Sequence, residues 1–162
     1  MTQGATDRTV LLIGFGNPAR EDDGLGPAAA SAIEKLGIDG ITVDADYQLT
    51  VEDAAAVAEY DAVVFVDAAV EGDGPFCFST LVPKRQESFS SHSVSPEAVL
   101  GLAQELFNAQ PEAYMLAIRG YSFTMFEEKM SEGALHNLEC ALEFLVPVLR
   151  RKSFSSQATG TK

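Results

Sequence analysis

Apolar and polar positions along this chain fall into two alternating kinds of segment. Val10–Gly14 and the interior of Asp61–Asp67 (DAVVFVD) are unbroken apolar runs, the pattern of strands covered on both faces. Ile41–Asp44, Phe76–Pro83 and Tyr114–Ile118 are further short runs rich in β-branched and aromatic residues, and they also read as strands. Helical signals lie between them. Gly24–Leu36 has Pro27 in its first turn, a run of alanines, and Gly37 as a stop. Thr50-Val51-Glu52-Asp53 has the form of a capping box and predicts an alanine-rich helix ending near Tyr60. Ser95-Pro96-Glu97 supplies an N-cap, a first-turn proline and a dipole-matched acid for a helix to about Ala109. From about Ser131, the spacing of Leu135, Leu138, Leu142, Leu145 and Leu149 predicts a final helix with one apolar face, which Pro147 should bend or end.

Strands alternating with helices predict an α/β sandwich around a mixed, mainly parallel sheet. Only Ala68–Pro75 separate the strand ending at Asp67 from the one starting at Phe76, too few residues for a crossover helix. The Phe76–Pro83 strand is therefore expected to be antiparallel or at an edge. With 162 residues and no internal repeat or linker, a single domain over residues 9–151 is expected. Residues 1–8 and the polar tail 152–162 are expected to be flexible.

Charge narrows the partners. A formal net charge of −13 disfavours nucleic acid and anionic membranes, both polyanions, and is compatible with a metal ion or a basic protein surface. An acidic surface that keeps a cytosolic protein in solution accounts for most of it. Cys77 and Cys140 lie far apart and form no Cys-x-x-Cys pair, so zinc-knuckle and thioredoxin-like chemistry is excluded and both thiols are expected reduced and buried. The N-terminus lacks the apolar core of a signal peptide and no apolar run approaches a membrane span, so a cytoplasmic protein is expected.

Functional residues of open α/β sheets gather beyond the carboxyl ends of the parallel strands. The stretch after the first strand, Gly14–Gly26 (GFGNPAREDDGLG), is a glycine turn of the kind that usually cradles phosphate, yet Glu21, Asp22 and Asp23 stand where the anion would go. Such a turn is charged for a cation. Asp67 ends an otherwise apolar strand, and His92 sits in the polar loop before the helix at Ser95. Asp23, Asp67 and His92 together make a three-ligand set for a borderline divalent metal such as nickel or zinc. Each also has a plain structural reading, as a loop cap or a solvated loop residue. Asp22 is expected to cap the helix that begins near Gly24.

Other arrangements fit less well. Gly14-x-Gly16-x-x-Ala19 satisfies a relaxed dinucleotide fingerprint, but Pro18 lies inside the turn and three acids would face the pyrophosphate. Cys77 with His92 is conceivable as a thiol–imidazole pair, yet Cys77 sits in an apolar strand pattern where an inert thiol is expected. His136 is expected to face solvent and Cys140 to pack. Arg119, at a strand end, could pair with Asp23, Asp67 or a substrate carboxylate, or serve the turn at Gly120 structurally; the structural role is favoured.

Four landmarks in order, GFGNPAREDDGLG (14–26), VFVDA (64–68), SSHSVSPEAVLGLA (90–103) and IRGYSF (118–123) before a leucine-rich final helix, cover nearly the whole of residues 9–150. Together they resemble the hydrogenase maturation proteases, endopeptidases that trim the large subunit of [NiFe] hydrogenases. The resemblance implies a three-layer α/β/α fold of the phosphorylase/hydrolase type. It implies that Asp23, Asp67 and His92 meet nickel, and that the partner is the nickel-loaded large-subunit precursor, cut after a His or Arg that follows the nickel-binding cysteine motif. Many members carry an aspartate-glycine-glycine-threonine element after the second strand; here that stretch reads Asp44-Ala45-Asp46-Tyr47-Gln48-Leu49-Thr50, which leaves open which hydrogenase is processed and whether Gln48 touches the peptide.

Two carboxylates and an imidazole hold nickel weakly beside a thiolate-rich site, so the metal is expected to arrive bound to cysteines of the precursor. Asp23 and Asp67 are also the candidate catalytic carboxylates, as ligands or as general base. A monomer is expected. A non-catalytic metal-dependent docking module and a nucleotide-binding α/β enzyme remain as alternatives.

Overall fold

The computed structural model describes residues 7–85, 94–124 and 126–159. Five strands form one sheet in the order β2-β1-β3-β5-β4, with β1 Val10–Phe15, β2 Ile41–Asp46, β3 Ala62–Ala69, β4 Phe76–Thr80 and β5 Glu112–Arg119. The first three strands and β5 pair in parallel, and β4 is an antiparallel edge strand beside β5. The α/β fold and the mixed sheet are those expected. Among the described residues four α-helices cover it: α1 Leu25–Leu36, α2 Asp53–Val57, α3 Pro96–Phe107 and α4 Glu132–Arg151.

Strand periodicity sorts the core into two layers. Val10, Leu12, Val64, Val66, Leu116 and Ile118 pack with α1 and α4, whereas Leu11, Ile13, Val63 and Phe65 pack with α2 and α3. The same alternation puts Asp67 on the face of Val63 and Phe65, toward α2 and α3.

Several local expectations change. The helix after the capping box is a single short turn and a half, Asp53–Val57, although the Asp53 carboxylate does accept the Thr50 N–H at 2.8 Å. The final helix does not end at Pro147 but runs to Arg151. Pro147 and Glu143, whose carbonyl the proline leaves without a helical partner, are both exposed, so water can serve that carbonyl while Leu145, Val148 and Leu149 hold the helix down. The buried stripe of α4 is Ala134, Asn137, Ala141, Leu145, Val148 and Leu149; Leu135 is exposed, and Leu138 and Leu142 lie at the margin.

The tail after α4 also differs from the expected flexible segment as far as Thr159. Phe154 is 1% exposed and stacks beside Tyr114 at 5.2 Å, completing an aromatic cluster with Phe78 and Phe144. Thr159 then donates its N–H to the Phe78 carbonyl at 3.0 Å and accepts that of Thr80 at 3.2 Å, lying along the outer edge of β4. A polar tail with one phenylalanine thus covers an edge strand that would otherwise be unpaired. Cys77 is exposed rather than buried, because Phe76 and Phe78 take the inward face of β4 and, among the described residues, no helix covers the other face at this edge. Cys140 is half-buried, with its Sγ 3.6 Å from Nε2 of the exposed His136.

Candidate active site

The loop after β1 is forced into shape by close backbone approach. Gly26, in the first turn of α1, has the carbonyl oxygens of Phe15 and Val66 at 2.3 and 2.6 Å from where a Cβ would stand, so the helix seats directly on β1 and β3. Gly16 adopts φ +143°, a conformation open to glycine, and the Asp23 carbonyl lies 2.0 Å from its missing Cβ. The loop closes on itself here: the Asn17 N–H donates to Asp23 Oδ2 at 2.8 Å, and the Asn17 side-chain oxygen accepts the Ala19 N–H at 2.9 Å.

A one-turn 3-10 helix, Glu21–Gly24, then carries the three acids, and it sends them in three directions. Glu21, itself at φ +49°, accepts the Thr124 N–H at 3.0 Å and the Ser122 hydroxyl. Those bonds, that from Ser122 foremost, hold its carboxyl below the ordinary value. Asp22 is fully buried and accepts the N–H groups of Tyr121 (2.7 Å), Ser122 (3.0 Å) and Ser131 (2.8 Å) and the Ser131 hydroxyl (2.7 Å). Burial pushes this carboxyl up, but the donors of Tyr121, Ser131 and Ser122 together outweigh it and leave it below the ordinary value. Asp22 therefore does not cap α1, contrary to the role expected for it; it fastens the loop to the N-terminus of α4, where Ser131 is the N-cap. Asp23 alone of the three lines the cleft.

That cleft, about 360 Å³, opens at the carboxyl ends of β1, β2 and β3. Asp23 and Asp67 face into it, with Gly16, Tyr47 and Gln48 from the loops, Ser95 from the start of α3 and Met115 from β5 beside β3. Burial raises the Asp67 carboxyl to about 7; the Ala68 N–H, 2.8 Å from its Oδ1, opposes this and the negative charge of Asp23 adds to it. Asp23 Oδ1 and Asp67 Oδ2 accept no hydrogen bond among the described residues, so each carboxylate keeps one oxygen for a ligand.

Two of the three expected metal-site residues thus share one cleft. The third, His92, lies outside the described residues, although Val94, Ser95 and Pro96, which follow it closely, form the cleft wall. Among the described residues no three His, Cys, Asp or Glu side chains gather into a metal-holding group. Two hard carboxylate oxygens suit a divalent cation that brings further donors of its own.

The remaining candidates fall elsewhere. Arg119 lies over the Tyr121 ring at 4.7 Å and donates to the carbonyls of Gly72 and Gly120, the structural role favoured for it. Among the described residues it pairs with neither Asp23 nor Asp67; the ion pairs there are Arg8–Glu112 and Arg85–Glu105. Tyr47, Phe15 and Met115 were not singled out from the sequence as site residues. Phe15 and Met115 could have been found by strand parity, since Phe15 follows Ile13 and Met115 pairs with Phe65 on the layer that Asp67 faces. The phosphate-cradle alternative is disfavoured by the loop itself, where a carboxylate already takes the Asn17 N–H.

No family model and no curated protein matches the sequence. Solved structures do match the fold. A [NiFe] hydrogenase maturation protease HycI from Thermococcus kodakarensis KOD1 superposes with a TM-score of 0.69 over 92% of this chain and 96% of its own, at 22% identity. The fold is that of the hydrogenase maturation proteases. The hydrogenase maturating endopeptidase HybD from E. coli gives a TM-score of 0.64 at 19% identity, over 90% of this chain and 94% of its own. A hydrogenase 2 maturation peptidase from Thaumarchaeota archaeon SCGC_AB-539-E09 gives 0.64 at 20% identity, over 88% and 98%. The hydrogenase maturation protease fold thus spans nearly the full length of this chain, and no described helix is long and apolar enough to cross a membrane.

Proposed function

We propose that this chain is an endopeptidase that removes a C-terminal extension from the nickel-loaded large-subunit precursor of a [NiFe] hydrogenase. The observation that carries the reading is the pair Asp23 and Asp67, brought by the loop after β1 and by the end of β3 into one open cleft, each with an oxygen to spare. It is supported by a fold shared over nearly full length with proteins named as hydrogenase maturation proteases.

Nickel enters as part of the substrate. Asp23 and Asp67, with His92 from the loop before α3, are the groups that would meet it, and nickel so placed supplies Lewis acidity toward the scissile carbonyl. A cut of the peptide bond needs a water molecule to lose a proton as it attacks the carbonyl carbon. Asp67, whose carboxyl burial raises to about 7 in the metal-free chain, is the carboxylate suited to accept that proton and to return it to the leaving amine as the C–N bond breaks. Asp23 is fixed by the Asn17 N–H and keeps a second oxygen directed at the ligand.

The test is incubation of purified chain with nickel-loaded large-subunit precursor, read by mass spectrometry as loss of a C-terminal peptide. A precursor bound in a metal-dependent manner but unchanged in mass would replace the protease reading with that of a docking module.

A further inference from the structure

His136 and Cys140 stand four positions apart on α4, and their side chains meet, with Cys140 Sγ 3.6 Å from His136 Nε2. The whole chain has two histidines and two cysteines, so one of each scarce metal-ligating type comes to a single spot. The protease chemistry above uses neither. Positions i and i+4 share one face of a helix, and this is the spacing by which two side chains of one helix hold a zinc ion.

The separation suits a shared cation. A tetrahedral ion with a metal–sulfur bond of about 2.3 Å and a metal–nitrogen bond of about 2.0–2.1 Å holds those two atoms about 3.5 Å apart. The observed 3.6 Å matches that bite, so chelation asks for almost no movement of either side chain. Their support is stiff. Ser131 caps α4 by accepting the Ala134 N–H at 3.2 Å, and Asp22 fastens that end to the Asp23 loop. One turn beyond Cys140, the Phe144 ring packs against Phe76 and Phe78 at 5.0 and 5.3 Å. Ligands on a packed helix are held more precisely than ligands on a loop.

Access and charge favour the same outcome. His136 is exposed and Cys140 half-buried, so an ion reaches them from solvent. Exposed Glu132, Glu139 and Glu143 stand three or four positions from one or other of the pair, in a chain of net charge −13, and the field there draws cations. No third His, Cys, Asp or Glu among the described residues completes the set, which leaves the other two positions of a tetrahedron to water. The spot is separate from the cleft: α4 packs on one face of the sheet, and Asp67 faces the other, toward α2 and α3.

We propose that His136 and Cys140 form a surface metal site, a chelating pair on α4 that takes a borderline divalent cation of the zinc, cobalt or nickel class. A thiolate and an imidazole select these ions over magnesium and calcium, which want oxygen. On binding, the thiol gives its proton to solvent and the sulfur bonds the cation as thiolate, while the imidazole binds as the neutral base. The inference goes beyond the protease reading and does not depend on it.

The experiment adds Co2+ to the untagged, reduced full chain. A cobalt thiolate absorbs in the near ultraviolet by sulfur-to-metal charge transfer, and a cobalt carboxylate or aquo complex does not. The expected result is a band that grows to one cobalt per chain and is displaced by Zn2+, with a melting temperature raised by Zn2+. Cys140→Ser and Cys140→Ala abolish both effects, and Cys77→Ser changes neither. His136→Ala weakens cobalt binding at least about tenfold, as for loss of one of two protein ligands. Circular dichroism checks that each variant is folded. No band from folded, reduced wild type with cobalt in large excess overturns the site. Cobalt binding of wild-type strength in His136→Ala overturns it too, since the imidazole is then no ligand. A band kept in the Cys140 variants and lost in Cys77→Ser overturns it as well.

Discussion

Asp22 and Asp23 are adjacent in the chain, yet their carboxylates do opposite jobs: Asp22 is wholly buried under four hydrogen bonds, and Asp23 faces the cleft with one. The two should therefore separate stability from activity. Asp22→Ala leaves the donors of Tyr121, Ser122 and Ser131 without a partner and is expected to lower stability by more than about 2 kcal/mol in urea denaturation. Asp23→Ala removes one hydrogen bond at a half-exposed site and is expected to cost less than about 1 kcal/mol while abolishing processing. Equal loss of stability in the two variants would contradict the division.

The same residue has a pH signature. Its carboxyl lies below the ordinary value of 3.8 in the folded chain, so its contribution is full above 3.8 and is lost as pH falls through the lowered value. The stability gap between wild type and Asp22→Asn should narrow in acid. A gap that widens below 3.8 would contradict the assignment.

Asp67 works in the other direction. Raised in the fold to about 7 from 3.8, it binds its proton more tightly folded than unfolded. Stability that it contributes is full below 3.8 and is lost progressively as pH rises to about 7. Asp67→Asn removes that slope, so its melting temperature should exceed that of wild type increasingly from pH 4 to pH 7 and by a constant amount above. A wild-type slope retained in Asp67→Asn would place the titrating group elsewhere.

Gly16→Ala tests the loop geometry. The added methyl at φ +143° meets the Asp23 carbonyl, so the loop must shift at the residue the site depends on. The expected outcome is a folded protein, by circular dichroism, whose kcat/KM for tail release falls by about a hundredfold. Wild-type rates would show that the passage from Gly16 to Asp23 is not part of the site.

What was readable beforehand follows from what patterning encodes. The unbroken apolar runs at Val10–Gly14 and within Asp61–Asp67 marked buried parallel strands, and strand ends in an α/β sheet mark functional sites, so Asp23 and Asp67 were reachable from position. The job of Asp22 was not, because its four donors come from residues about a hundred positions away in the chain. Cys77 was misread because alternation in an edge strand gives burial on one face only, and sequence does not say which face lacks a helix. The leucine spacing of α4 located the helix but not its inner stripe, since Asn137 and two alanines occupy inward positions while Leu135 points out. Phe154 shows the same limit, one aromatic in a polar tail fixing it to the core.

The central claim is that Asp23 and Asp67 form a site for a precursor that brings its own nickel. Mass spectrometry of precursor incubated with wild type, with nickel and without it, and with Asp67→Ala, addresses it most directly. The account predicts loss of a C-terminal peptide from nickel-loaded precursor by wild type alone. Release of the peptide from nickel-free precursor at the same rate, or by Asp67→Ala, would contradict it.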